Sequence, residues 1–475
     1  METALLRFLL CTLAILLCVQ VFILPSLLDT TGEGPAAPPE PENGASIAPP
    51  PLDPNYDLIL DPHLARNEYP AEKLAAARRL LLPSLAAQFC TPEVWAKYKD
   101  VKSSGPAKWT LARAINTGVM YPESLVGCHA GDRESYDDFK DFFWPVIEAY
   151  HVGFSMASGW RPPGTATERM DPSRVTVQLS DSARAKILST RIRIARNLAA
   201  FALNPGGDRR SREAIADLMG RVFRAPAWDP ALAGTFFLHS NLTGAQREAL
   251  VKDRLLFRGG DKMQAASGYH EHWPHGRGVF LSADKAFSVW VNEGDHLRVI
   301  SVEQGGDVRG VFSRLSAGAR AIEEGVRRLA GPKRRNGGGG SGGSAGSRGG
   351  GSSGVPEEVF MVHPKFGSVA CCPSNIGTGM RGSVHMRLPR LLASLGLEGV
   401  DAMARPLYCQ ARGSDGERSV AAGGRVDVSN WRRVGRSEYE LVDDMLRCAN
   451  ALAHEEDALA QEEAAGSAEL VRGST

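Results

Sequence analysis

Hydrophobic and polar positions fall into three successive patterns along this chain of 475 residues. The first is a run. Leu5 to Leu28 is almost wholly apolar, broken by Arg7 and closing near Pro25, with a charge-free core of seventeen residues from Phe8 to Leu24. About 20 apolar residues cross a bilayer, whereas the apolar core of a signal peptide has about 7 to 15. The run predicts a signal anchor or signal peptide over residues 1–29, with membrane insertion through 5–28. This implies a single-pass N-terminal anchor, or the secretory pathway if the segment is cleaved. Residues 30–66, rich in Pro, Ala, Gly and acid, cannot bury a core and read as an extended stalk.

The second pattern is helical. Between Ala71 and Tyr150 apolar residues recur at helical spacing, as in AEKLAAARRLLLPSLAAQF and SYDDFKDFFWPVIEAYH, which predicts a small helical domain over 67–160. The third pattern alternates with period two. RVTVQL, FSVWV, LRVISV and SVHMRL are separated by the helical stretches REAIADLMGRVFRA and AQREALVKDRLLF, so 174–460 reads as a larger domain with an antiparallel sheet flanked by helices. The fold class is α+β. A Gly/Ser tract at 331–356 reads as a surface insertion, since closing a longer loop costs little, and the acidic tail, 461–475, reads as disordered.

The formal net charge of +1 gives no reason to expect nucleic-acid binding, so any phosphate recognition must come from locally clustered arginines. Eight cysteines show no C-x-x-C pair, and no residue set reads as a metal site. His270, His272 and His275 fall in a loop.

The densest chemistry lies in CCPSNIGTGMRGSVHMRLP, from Cys371 to Pro389. A thiol becomes a charged group when hydroxyls, amides or cations lower its pKa, as Ser374, the turn amides and Arg381 are placed to do. Gly377 to Gly382 satisfies G-x-G-x-x-G, but the alternating Ser383-Val-His-Met-Arg-Leu that follows predicts a strand in place of the helix that fingerprint needs. In Ser189-Thr-Arg191-Ile-Arg193-Ile, period two puts Arg191 and Arg193 on one strand face and Ile192 and Ile194 on the other.

This stretch resembles the reactive-cysteine signature of the phosphagen kinases, the ATP:guanidino phosphotransferases. Four further blocks agree in order: VGCHAGDRESYDDF from Val126, STRIRIARNL from Ser189, VWVNEGDHLRVIS from Val289 and ARGSDGERSVAAGGRVDVSN from Ala411. The resemblance spans roughly residues 70 to 460. It implies the family's glutamine-synthetase-like catalytic fold behind a small helical domain. It also implies reversible transfer of the ATP γ-phosphoryl group to a guanidino nitrogen, with ATP/ADP and Mg2+ as cofactors.

By the same resemblance the nucleotide is held at Ser189, Thr190, Arg191, Ile192, Arg193, Arg254, Arg298, Arg381, Gly382, Ser383, Val384, His385, Arg412, Gly413, Ser414, Asp415, Gly416 and Glu417. Arg254 stands where the family usually has a histidine. The guanidino substrate falls to Cys372, Glu417 and Asn375, with Val126 and Gly127 at the end of a specificity loop running from Asn116 to Gly127 and His129 in the stretch that adjoins it. Glu417 and the short loop match arginine-using members; the adjoining text reads more like creatine kinase, and His129 replaces a tyrosine usual in arginine kinases. The family pattern N-E-E-D is Asn292-Glu293-Gly294-Asp295 here, so the second glutamate, the favoured catalytic base, is a glycine. Cys372, Glu417 and Glu293 are the remaining catalytic candidates. Another guanidino acceptor (creatine, taurocyamine or protein arginine) and a nucleotide-binding pseudoenzyme are the alternatives.

Overall fold

The computed structural model describes residues 60–164, 166–225, 228–253, 255–257, 262–329, 358–413 and 423–473. The opening apolar run, most of the stalk and the Gly/Ser tract lie outside these residues. The expected membrane location is corrected: among the described residues no helix is long and apolar enough to cross a membrane. The two longest helices, Val308–Leu329 and Glu438–Gly473, carry charges along their length.

The N-terminal part is helical, as its periodicity predicts. The stretch from Ala71 to Phe89 is two helices, Ala71–Arg78 and Leu85–Phe89, because Pro83 cannot continue a helix and Ser84 caps the next one, accepting from the Ala87 amide. Further helices at Pro92–Tyr98, Leu111–Met120 and Lys140–Tyr150 close over Trp109, Phe139, Phe142 and Phe143, all fully buried.

The larger part is built on strands β1 Ile187–Arg196, β2 Gly234–Leu238, β3 Gly278–Ser282, β4 Phe287–Val291, β5 Leu297–Gln304, β6 Val362–His363, β7 Gly367–Ser368, β8 Met380–Arg387, β9 Cys409–Gly413 and β10 Arg425–Asn430. Eight of them form one antiparallel sheet in the order β2-β3-β4-β5-β1-β8-β10-β9; β6 and β7 pair separately. The strand after the glycine turn, β8, is the one its alternation predicts. Ile192, Ile194, Val384 and Val428 face one side and join the main core with the helices Arg209–Arg224, Val308–Leu329, Pro389–Ala404 and Glu438–Gly473. That layer leaves the other face of the central strands for chemistry.

Two further expectations are corrected. Arg174 to Leu179 is not a strand: the Thr176 and Val177 amides are taken by the Asp443 carboxylate, at 3.0 and 2.9 Å, which leaves no ladder to form. The acidic tail continues the last helix to Gly473, where good helix formers such as Ala, Glu and Leu dominate the sequence.

Candidate active site

Register places the arginines. Across β1, Arg193 lies opposite Arg381 on β8, Arg191 opposite Ser383, and Ser189 opposite His385. On the other flank Ala195 faces Arg298 on β5, and beyond β8 the pairing carries His385 to Asp427 on β10 and Asp427 to Arg412 on β9. One face therefore gathers Arg191, Arg193, Arg298, Arg381 and Arg412. Ser189 Oγ meets His385 Nδ1 at 3.2 Å, and Arg381 donates to Asp427 at 2.9 Å.

The cluster is positively charged beyond its local compensation. Burial lowers the Arg193 pKa to about 9, helped by repulsion from Arg191, Arg298, Arg381 and Arg433; burial and Arg381 lower that of Arg191 too. Ser429 Oγ, on β10 opposite Ser383, is buried without a hydrogen-bond partner. Repelling guanidinium forks with an orphaned hydroxyl fit a polyanion such as a nucleotide's phosphates.

Beside it, Arg298 reaches Asp295 at 3.0 Å and Glu293 at 3.5 Å. Burial opposes its charge, but the two carboxylates outweigh burial and hold its pKa above the ordinary value. Asp295 also accepts from Asn197 and from the Cys371 amide. Burial would raise the Asp295 pKa, but Arg298 and these donors hold it below the usual range. Glu293 has both oxygens in contact: one accepts from the Gly294 amide at 2.6 Å and lies beside Arg298, the other accepts from Gln264 at 3.2 Å. These contacts orient both oxygens and hold the loop together, while each oxygen keeps a second lone pair.

The thiol loop comes next. Cys372 begins the short turn Pro373–Asn375, whose Asn375 amide donates back to the Cys372 carbonyl at 2.9 Å. Gly377 needs its left-handed φ of 90°, and a Cβ there would strike the Arg433 carbonyl at 2.3 Å. The expectation of a lowered Cys372 pKa is corrected. Burial raises it, and Ser374, at 3.1 Å, only partly offsets this; Arg381 turns to Asp427 instead.

The segment expected from the sequence to set specificity adjoins residues that pack directly on this loop. The Ala130 amide donates to the Cys371 carbonyl at 2.8 Å, and His129 donates its amide to Ala114 while its ring meets Tyr269. Asn116 to Met120 is helical and the loop begins at Tyr121, so it is shorter than its sequence span. Gly127, at φ 68°, packs its own backbone on Gly118, whose Cα a Cβ there would meet at 2.8 Å.

Not every residue read from sequence faces the site. Thr190 donates to the Gly305 carbonyl, Ile192 and Val384 lie in the core, and Gly382 packs against Met445. Gly413 ends β9. Arg254, Ser414, Asp415, Gly416 and Glu417 lie outside the described residues. Arg433 was missed by sequence reasoning. It donates to the Ser374 carbonyl and influences both Arg193 and Cys372, joining the arginine face to the thiol loop. Its only sequence signal is its place just after the last block. The described residues hold no group of three or more His, Cys, Asp or Glu fit for a metal ion.

Comparison with known proteins agrees with this architecture. The C-terminal catalytic domain of the ATP:guanido phosphotransferases matches residues 217–459, and their N-terminal domain residues 83–148. An arginine kinase of Anthopleura japonica is 36% identical over 382 residues, 80% of this chain and 47% of that protein, so the chain spans about half of that relative. An arginine kinase of Stichopus japonicus is 32% identical over 78% of this chain and 89% of its own length. Among solved structures, a lombricine kinase (TM-score 0.68, 27% identity) covers 80% of this chain and 93% of its own. The substrate-free duplicated taurocyamine kinase from Schistosoma mansoni (0.66, 27%) covers 81% and 49%. The chain belongs to the ATP:guanido phosphotransferase family, phosphotransferases that act on a guanidino nitrogen.

Proposed function

We propose that the chain transfers the γ-phosphoryl group of ATP reversibly to L-arginine. The observation that carries this reading is the junction at Arg433, where the arginine face of β1, β5 and β8 meets the Cys372 loop and the specificity segment. In-line transfer needs two substrates aligned end to end and negative charge neutralised between them. Arg191, Arg193, Arg298, Arg381 and Arg412 grip the phosphates, with Mg2+ arriving on the nucleotide. The guanidino nitrogen attacks the γ-phosphorus, the bond to the β-bridging oxygen breaks, ADP leaves, and the acceptor's proton passes to a carboxylate, for which Glu417 is the candidate. Cys372 and Asn375 orient the guanidino plane. Arginine stands ahead of other acceptors because relatives named arginine kinase are 32–36% identical, against 27% for the lombricine and taurocyamine kinase structures.

A second reading, nucleotide binding without turnover, is favoured by one observation: Gly294 supplies no carboxylate where the family pattern has one. ATP consumption by the full chain with Mg2+ and reductant, tested separately against L-arginine, creatine, taurocyamine and lombricine, distinguishes the two. Turnover with arginine that Cys372→Ala reduces at least tenfold supports the proposal. ATP binding with no guanidine phosphorylated replaces it with the second reading.

A further inference from the structure

The space beside Gly294 is tight. A Cβ at that position would stand 3.1 Å from Tyr269 Cε2 and 3.3 Å from Arg298 Nη2. Gly294 is not among the residues with left-handed φ, so its own backbone is no obstacle to a side chain; the neighbours are. Arg298 is tied to Asp295 and Glu293. Tyr269 is held from several sides. Its carbonyl accepts from Arg277, its phenol interacts with the nearby Cys371 thiol, and its ring meets the His129 ring edge-on with centroids 5.2 Å apart. The ring is only 5% exposed. Cys371 in turn donates to the Gly294 carbonyl at 2.8 Å and immediately precedes Cys372.

We infer that Tyr269 is an acceptor-positioning residue: its ring takes the volume of the missing acidic side chain and makes a neutral wall from His129, on the specificity segment, to the guanidino end at Gly294 and Cys372. The inference rests on the guanidino phosphotransfer reading above. Burial, with Cys371 and Asp295 nearby, keeps the phenol's pKa well above its ordinary value, so the wall carries no charge and takes no proton. The acceptor is then held with one negative charge fewer than the family pattern supplies. The Tyr269 and Gly294 pair therefore sets acceptor affinity.

A double-mutant cycle tests this with the full chain: Gly294→Glu, Tyr269→Ala, both together, and Tyr269→Phe as the conservative variant, each read by Tm and the arginine KM and kcat. Gly294→Glu alone is expected to lower Tm and leave the arginine KM no better. In the Tyr269→Ala background the same change is expected to cost much less Tm and to lower the arginine KM at least tenfold relative to Tyr269→Ala. Tyr269→Phe keeps the ring and is expected to keep the Gly294→Glu penalty. Additive effects on Tm and KM would overturn the inference, as would a Gly294→Glu variant that gains arginine affinity unaided. If no variant phosphorylates any guanidine, the phosphotransfer reading fails and the acceptor role with it, while the Tm cycle still reports whether the ring fills that space.

Discussion

Cys371 Sγ donates to the Gly294 carbonyl at 2.8 Å and lies 3.0 Å from Asp295 Oδ1, so the buried member of the adjacent thiol pair ties its own loop to the loop that leads into β5 and Arg298. Burial, Asp295 and its hydrogen bond to Asp295 raise the Cys371 pKa well above the ordinary value, which keeps it a donor. Cys371→Ala removes that donor from a buried site and is expected to cost about 1–3 kcal/mol, measured by urea denaturation, whereas Cys372→Ala changes stability less and activity more.

The thiol at Cys372 titrates late. Because burial raises its pKa above 9.0, the thiolate is scarce at neutral pH in the free enzyme. Alkylation by iodoacetamide is expected to accelerate with each step of pH up to and beyond 9.0. A rate that levels off below pH 8 contradicts this.

Arg193 gives up stability for binding. Repulsion from Arg191, Arg298, Arg381 and Arg433 falls on it in the absence of phosphate. Arg193→Met is expected to raise the Tm of the ligand-free protein while weakening ADP binding about 10- to 150-fold, from the loss of a charged hydrogen bond worth about 1.5–3 kcal/mol. Calorimetric titration and thermal melts with and without ADP check both halves.

Three buried histidines make stability depend on pH. Burial lowers His151 and His239 to about 3 and His296 to about 4, against an ordinary 6.5. Their folded pKa values lie below the unfolded ones, so between pH 6.5 and about 4 the unfolded chain binds protons the folded chain refuses. Their stabilising contribution is complete above 6.5 and is lost as pH falls, at up to about 1.4 kcal/mol per pH unit for each residue. Denaturation curves from pH 7 to pH 5 are expected to show a steady decline.

Glu438 anchors two buried cations. It accepts from Arg196 at 2.8 Å and lies 3.5 Å from Arg169, all three almost wholly buried. Glu438→Gln leaves those charges uncompensated and is expected to cost about 3–5 kcal/mol, read as a large loss of denaturation midpoint with secondary structure otherwise intact.

The sequence by itself determined what local period carries. Alternation in β1 separates Arg191 and Arg193 from Ile192 and Ile194 whatever the rest of the chain does, and the strand after the glycine turn is legible for the same reason. Spacing of apolar residues likewise announces the helical N-terminal part. What it left open depends on contacts between distant segments. Arg174 to Leu179 has the alternation of a strand but meets Asp443, more than 260 positions away, which takes its amides. Glu293 looks like a spare carboxylate until Gln264 and Arg298 are seen to hold it. Cys371 finds Gly294 across 77 residues, and Tyr269 reaches the same glycine only because the turn before β3 folds back over the start of β5. Period is a property of the backbone and is written in the order of residues. Proximity is settled by strand order and packing, and so the side of β1 shared by Arg191 and Arg193 was readable in advance, while their gathering with Arg298, Arg381 and Arg412 and the wall beside them were decided by the tertiary structure.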